Sequence, residues 1–328
     1  VGPVGEVGRV AEVAERVANV CEAAHARLSG PLGWEPTTPT HVVLNDGADT
    51  ANGSAIALPY NTVRLFVSAP EDLSPRSDYD DWYLALVTHE YSHILHTDNI
   101  TGLPALYNAI LGKRYAPNMQ QPRWLLEGLA VLLESTFTSG GRNRSTTFDM
   151  YLRADVLEHN VARLDEISHT IRRWPQADVW YVYGSRFLSW ISDTYGFEAL
   201  RQVSADYGSE IIPLGINRAI HRFTGHTYPQ LYEGFLAAMR MKYEAQSQAV
   251  RARGSREGTR LTFSGQEAQH PRYVAPALRH GESADRLASA SPDRVIAFYR
   301  SDAHSVDGLY EFDVEGRTIG APRLLTRT

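Results

Sequence analysis

The segment His89–His93 reads His-Glu-Tyr-Ser-His, which is the pattern HExxH. Apolar residues at helical spacing surround it and predict a helix over residues 82–97. Four residues turn a helix by about 400° and advance it by about 6 Å, so both imidazoles would lie on one face, one turn apart. The spacing therefore predicts that His89 and His93 hold one metal ion, with Glu90 beside it as a proton acceptor.

A third metal ligand must come from elsewhere in the chain. The metzincin pattern would require glycine at position 96 and histidine at position 99, where this chain has His96 and Asn99. His96 lies about 10.5 Å along the helix axis from His89, too far to share an ion whose bonds are about 2 Å long. A second apolar helix, predicted over residues 123–138, carries Glu127. We therefore expect a metal held by two histidines and Glu127.

The second predicted helix contains another carboxylate and two small residues. Glu134 follows Glu127 by seven residues on the same helix face, and is either a rival ligand or a group that orients a histidine. Gly128 and Ala130 are small enough to let this helix approach the HExxH helix closely. The competing interpretation of the motif is two structural core histidines with a surface glutamate.

The elements around these two helices follow from hydrophobic periodicity and turn signals. Helices are predicted at 7–30, where Gly30-Pro31 ends the pattern, and at 148–158, 186–195, 213–223 and 227–250; strands are predicted at 41–44 and 62–67. Further strand-like runs occupy 287–290, 295–300, 309–314 and 323–326. The expected organisation is a mainly helical domain at 1–250, a linker at 251–262 and an all-β region at 263–328.

Composition excludes several classes of protein. With 328 residues, 43% of them hydrophobic, the chain is long enough for about two packed domains. A net charge of −6 argues against nucleic acid as a partner, because phosphate binding depends on clustered Lys and Arg. No apolar run reaches the ~18 residues of a membrane span, so no transmembrane segment is predicted. Cys21 has no partner for an internal disulfide and is expected to pack as a small hydrophobic side chain.

The segment 124–130, Trp-Leu-Leu-Glu-Gly-Leu-Ala, places Glu127 34 residues after His93. Together with HExxH it resembles the gluzincin zinc metallopeptidases, in particular the peptidase MA-like proteins that carry a TolB-type propeller. The resemblance extends to Leu44–Asp46, Ala51–Gly53, Leu58–Tyr60, Asp81–Trp82, Gly141–Arg142 and Tyr181–Gly184. It implies an α+β, thermolysin-like domain, made of a small antiparallel-edged sheet and a mostly α-helical lobe, with one Zn²⁺ on His89, His93 and Glu127.

The resemblance also implies roles for residues outside the ligand set. A tyrosine on a later helix would stabilise the oxyanion, and Tyr181, slightly favoured, and Tyr183 are the candidates; aromatic packing is the alternative for both. An edge strand near residues 52–57 would receive the substrate backbone by strand addition. The thermolysin subgroup has an acidic residue four positions after its glutamate ligand, where this chain has valine. Asp98 or Glu134 would therefore orient the histidines.

The segments 291–298, 309–314 and 324–326 resemble one blade of a TolB-like β-propeller. Fewer than 80 residues follow position 250, whereas propellers need about 4 to 8 blades. We therefore expect the chain to be the amino-terminal piece of a longer protein, with the remaining blades as partners in the same or a cleaved chain.

The expected function is a zinc-dependent peptidase in which zinc activates a water molecule and Glu90 is the general base. An endopeptidase is favoured because the chain lacks a Gly-x-Met-Glu-Asn block of the kind that captures an amino terminus. The alternatives are a propeller-based binding or scaffold protein with a vestigial or tightly restricted peptidase site, and a zinc hydrolase of a non-peptide amide or ester. The resemblance to bacterial proteins implies a periplasmic, cell-surface or secreted location.

Overall fold

Helices dominate the first 250 residues of this protein. A computed structural model describes residues 4–47, 51–70, 79–172, 175–212, 214–256, 258–263, 267–274, 294–302, 304–315 and 318–327. It is 54% helical and 14% strand, which confirms the predicted mixed α+β class. The chain divides into two units, Val1–Ala249 and Val250–Thr328. Within the described residues the sheets are small and none closes into a barrel.

The helices largely follow the predicted pattern. They are α1 (Val4–Leu32), α2 (Trp82–Thr97), α3 (Gly102–Leu111), α4 (Arg123–Phe137), α5 (Thr146–Leu157), α6 (Val179–Tyr195), α7 (Phe197–Tyr207), α8 (Ile216–Thr224) and α9 (Tyr228–Ala252). The sequence did not predict α3 or α7, and α6 begins two turns before its predicted start. α1 continues through Pro31, and α9 runs two residues into the predicted linker. None of the helices in the described residues has the length and apolar character needed to cross a bilayer.

A three-stranded sheet packs beside α2. It consists of β1 (His41–Asn45), β2 (Gly53–Ile56) and β3 (Thr62–Phe66), in the order β1-β3-β2. β1 runs parallel to β3, whereas β2 runs antiparallel to it, with Ala55 opposite Val63. β3 is the central strand, and its apolar residues Val63 and Leu65 are buried. The predicted edge strand near 52–57 is confirmed as β2.

Two glycines set the distance between α4 and α6. A Cβ added to Gly128 would lie 2.5 Å from the carbonyl carbon of Gly184, and one added to Gly184 would collide with the carbonyl oxygen of Trp124. Only glycine permits backbones to approach this closely. Gly128 was expected to admit the HExxH helix; α4 does pack against that helix, but the close approach at Gly128 itself is to α6.

The second unit, Val250–Thr328, contains an antiparallel sheet. Its strands are β4 (Glu267–Val274), β5 (Arg294–Ser301), β6 (Gly308–Glu315), β7 (Thr318–Ile319) and β8 (Arg323–Arg327). β4, β5, β6 and β7 are consecutive neighbours, and β8 also pairs with β6. β5, β6 and β8 confirm three predicted strands, β4 and β7 were not predicted, and the predicted run at 287–290 lies outside the described residues. Alternate residues of β5 and β6, such as Phe298 and Phe312, form a small core.

Candidate metal centre

The HExxH segment lies in the middle of α2, which is fixed at its start and along its length. The Asp81 carboxylate caps the helix by accepting a hydrogen bond from the Leu84 amide at 3.1 Å. Apolar residues on the inner face, such as Val87 and Leu95, are buried in the core. A capped helix with a buried face keeps its rotation fixed, so His89 and His93 project together with ring centroids 5.0 Å apart.

His89, His93 and Glu127 bring one ligand atom each to a common point. Oε2 of Glu127 lies 3.4 Å from Nε2 of His89 and 3.4 Å from Nε2 of His93. All three ligand atoms lie within 4.8 Å of one another. A tetrahedral Zn²⁺ with bonds of about 2.0–2.1 Å separates its ligands by about 3.3 Å. The three predicted residues therefore form a possible metal-binding triad, and its donor types and spacing fit zinc.

Glu134 is the carboxylate that contacts a histidine of the triad. Its Oε2 lies 3.0 Å from Nδ1 of His89. Nη2 of Arg142 lies at the same distance from Nδ1, but guanidinium cannot accept a hydrogen bond. A metal bound to Nε2 of His89 would leave the hydrogen on Nδ1, which would then donate it to Glu134. This is the arrangement by which carboxylates orient metal-binding imidazoles.

Glu134 is itself saturated with donors. Tyr79 donates its hydroxyl to Oε1 at 2.7 Å, Nη2 of Arg142 donates to Oε2 at 2.7 Å, and the Arg142 amide donates to Oε1 at 2.9 Å. Burial alone would raise the pKa of Glu134, but Arg142 and His89 outweigh it and hold that pKa well below its usual range. The carboxylate is therefore charged despite being 1% exposed.

The charges of the site also change the protonation of His89. Burial and Arg142 lower its pKa, but hydrogen bonds to Glu127 and Glu134 outweigh them and raise the pKa to about 9. Burial raises the pKa of Glu127, but its contacts with His89 and His93 outweigh this effect and hold that pKa far below its usual range. A proton and a metal ion compete for the same lone pair of Nε2. The negative charges that favour a proton on His89 therefore also favour a metal ion bound at Nε2.

Glu90 lies against the edge strand. A Cβ added to Gly53 of β2 would come within 2.8 Å of both Cγ and Oε1 of Glu90. Residues 51–56, Glu90 and the three ligand residues line one cleft of about 370 Å³. The cleft thus joins the ligand triad, a neighbouring carboxylate and one edge of a sheet.

The two candidate tyrosines lie on different sides of α6. Tyr181 lines the cleft, and its ring centroid lies 6.3 Å from the ring centroid of His89. Cζ of Arg142 lies 4.6 Å from the ring centroid of Tyr181. Tyr183 is fully buried, donates its hydroxyl to Asp155 at 2.6 Å and accepts from the Ala162 amide at 3.2 Å. Tyr183 is not among the residues that line the cleft, so of the two only Tyr181 is placed near the triad.

His96 and Asp98 have other partners. Nε2 of His96 lies 2.7 Å from Oε1 of Gln121, and Nδ1 of His96 lies 2.8 Å from Oγ of Ser204, in the protein interior. Asp98 pairs with Lys113 and accepts a hydrogen bond from the Trp34 indole at 3.0 Å. Of the two carboxylates proposed to orient the histidines, Glu134 makes the contact.

Sequence reasoning gave no role to Arg142, Tyr79 or Arg123. Arg142 belongs to the Gly141–Arg142 segment of the family resemblance, which was the available signal for it. Tyr79 and Arg123 carry no local signal, because their positions depend on how distant segments pack. Gly53 was included in the predicted edge strand, but its contact with Glu90 is a tertiary feature.

No protein-family model matches the chain, and neither the curated proteins nor the solved structures with which it was compared give a match.

Proposed function

We propose that this protein is a zinc-dependent peptidase of the gluzincin type, acting as an endopeptidase. The observation that carries the proposal is that Oε2 of Glu127 lies 3.4 Å from Nε2 of both His89 and His93, in a cleft that also contains Glu90. A bound zinc ion would supply Lewis-acid chemistry, which lowers the pKa of a coordinated water and polarises a carbonyl.

The residues of the chain divide the remaining work. Glu90, next to the triad on α2, takes a proton from the attacking water and returns it to the leaving amine. Tyr181 donates a hydrogen bond to the oxyanion that develops on the substrate carbonyl. Glu134 keeps the His89 ring oriented by accepting its Nδ1 hydrogen, and Arg142 in turn holds the Glu134 carboxylate in place.

The edge strand β2 supports a peptide substrate. Among the described strands, β2 pairs on one side only, with β3, and residues 51–56 line the cleft. An extended peptide can add to such an edge through backbone hydrogen bonds, which are independent of side-chain sequence. A peptide held along its length in this way can be cleaved at an internal bond, which favours an endopeptidase.

We also propose that the second unit is a blade of a TolB-like propeller. The support is its antiparallel β5-β6 pairing, flanked by β4 on one side and by β7 and β8 on the other. A role in selecting substrates or partners would then belong to this unit.

Metal analysis combined with peptide cleavage tests the peptidase proposal. Wild type, Glu90→Gln and the surface control Glu233→Gln would be loaded with zinc, assayed for metal by mass spectrometry and incubated with a peptide library. We expect one zinc per chain in all three, and a loss of cleavage of about 10²–10⁴-fold in Glu90→Gln only. If zinc-loaded wild type cleaves no peptide, the peptidase proposal fails and the scaffold alternative is favoured.

A further inference from the structure

Arg123 is a charged side chain of the cleft that the metal centre does not use. It begins α4, one turn before the ligand Glu127, and its side chain is 52% exposed. Its Cζ lies 3.9 Å from the ring centroid of Trp180, a stacking arrangement that holds a guanidinium plane in one orientation. The cation is therefore both positioned and accessible from the cleft.

The other charges of the cleft are balanced. Glu134 is matched by Arg142 at 2.7 Å. A divalent cation at the triad would be balanced by the carboxylates of Glu127 and Glu90. In the described part of the chain, the nearest acid to Arg123 is Glu127, which forms a loose ion pair with it: Oε1 lies 3.8 Å from Nε, beyond hydrogen-bond distance. With the Glu127 charge engaged by a metal ion, Arg123 is left as an excess positive charge beside the metal position.

We propose that Arg123 binds a carboxylate of the substrate close to the scissile bond, so that acidic peptides are preferred. This inference rests on the proposed peptidase function, which places the scissile carbonyl at the triad. Consecutive Cα atoms of a peptide are about 3.8 Å apart. A substrate side chain next to the scissile carbonyl can therefore reach Arg123, which lies beside the triad residue Glu127. Guanidinium binds carboxylate through two parallel hydrogen bonds, which a neutral amide cannot reproduce.

The carboxylate has two sources, and the substrate set separates them. Peptides with an internal Glu and an amidated C terminus would be compared with Gln peptides of the same sequence, with the Glu moved through each position flanking the scissile bond. Neutral peptides with a free or an amidated C terminus form the second comparison. Wild type, Arg123→Gln, Arg123→Lys, Arg123→Glu and the surface control Arg240→Gln would be assayed for kcat and KM.

We expect wild type and Arg240→Gln to cleave one acidic series about tenfold more efficiently than its neutral match, mainly through KM. Arg123→Gln should remove this preference, Arg123→Lys should restore part of it, and Arg123→Glu should reverse it in favour of the neutral peptides. Added salt should reduce the wild-type ratio, because the contact is partly exposed. An unchanged ratio in Arg123→Gln would overturn the proposal.

A binding measurement keeps this test separate from the peptidase proposal. Zinc-loaded Glu90→Gln and Glu90→Gln/Arg123→Gln would be titrated with the same peptides by calorimetry. A tenfold preference for the acidic peptide that disappears in the double variant supports the role of Arg123, even if wild type cleaves nothing. Equal affinities for acidic and neutral peptides in Glu90→Gln would refute it.

Discussion

Oε2 of Glu134 lies 3.0 Å from Nδ1 of His89, and Glu134 is on α4, the helix that also carries the candidate ligand Glu127. The two glutamates are seven residues apart, so both project from one face of α4, about two turns apart. Glu127 approaches Nε2 of His89, at the candidate metal position, and Glu134 approaches Nδ1 at the opposite edge of the ring. A single helix therefore sets both the ligand position and the orientation of His89, which makes α4 as important to the centre as α2.

Replacing Glu134 tests this second contact. Glu134→Gln keeps the shape but removes the charge that orients His89, so zinc affinity should fall about 10–100-fold. The free energy of unfolding should also fall by about 3 kcal/mol, because the nearly buried Arg142 loses its counter-ion. Competition with a chelator measures the first effect and urea unfolding the second, with Glu233→Gln as control. Wild-type zinc affinity in Glu134→Gln would show that the contact does not support metal binding.

The two tyrosines of α6 should separate catalysis from stability. Tyr181→Phe removes the proposed donor to the oxyanion, so kcat should fall about 10²-fold with little change in KM or in the melting temperature. Tyr183→Phe removes buried hydrogen bonds with Asp155 and Ala162, so it should lower stability by about 1–3 kcal/mol while leaving kcat near wild type. Steady-state kinetics and thermal unfolding of both variants provide the check. The reverse pattern would transfer the proposed role to Tyr183.

How far the sequence predicted this site depends on whether the geometry is local. The relation of His89, Glu90 and His93 was predictable because helical spacing alone determines it. The choice between Tyr181 and Tyr183 was not, since residues two apart on a helix point about 200° apart. Which of them faces the cleft depends on the rotation of α6, and the contact of Gly184 with α4 sets that rotation.

The elements missed from sequence have similar physical reasons. α7 begins directly after Gly196, whose positive φ of 85° lets the chain turn a corner without a polar loop, so the usual signal of a new helix is absent. α3 carries no charged residue, and its sequence Gly-Leu-Pro-Ala-Leu-Tyr-Asn-Ala-Ile-Leu lacks a polar face. Periodicity finds a helix when one face is polar, and it fails for such a segment.

Gly53 should be essential for the position of Glu90. Gly53→Ala would place a methyl group within 2.8 Å of Cγ and Oε1 of Glu90, which must then move. We expect kcat to fall about 10²-fold, since small displacements of a reacting group carry large rate penalties. Zinc affinity should be unchanged, because Glu90 is not a ligand. The control is Gly258→Ala, at an open site with no atom within 4 Å. Equal kcat values in the two variants would contradict this prediction.

The crossing of α4 and α6 should be a packing contact that tolerates no added atom. Gly128→Ala brings Cβ to 2.5 Å from the Gly184 backbone, which cannot yield as a flexible side chain would. Overpacking of this kind costs about 1–3 kcal/mol or more, and separation of the helices would also move Glu127. Urea unfolding should show this loss for Gly128→Ala and almost none for Gly258→Ala. A melting temperature of Gly128→Ala within a degree of wild type would argue against a tight crossing.

His96 should give the first unit a measurable pH dependence of stability. Burial lowers its pKa to about 4, from 6.5 in an unfolded chain, although the hydrogen bond to Gln121 opposes the shift. The unfolded state therefore binds the proton more readily, and stability that is complete above pH 6.5 is lost as the pH falls towards 4. Between pH 7 and pH 5 this one group should cost about 2 kcal/mol. Urea unfolding would be measured at both pH values in the presence of a chelator, which removes the effect of metal release. The free energy of unfolding should fall by about 2 kcal/mol less in His96→Gln than in wild type. Parallel pH profiles for the two proteins would mean that His96 titrates normally in the folded state.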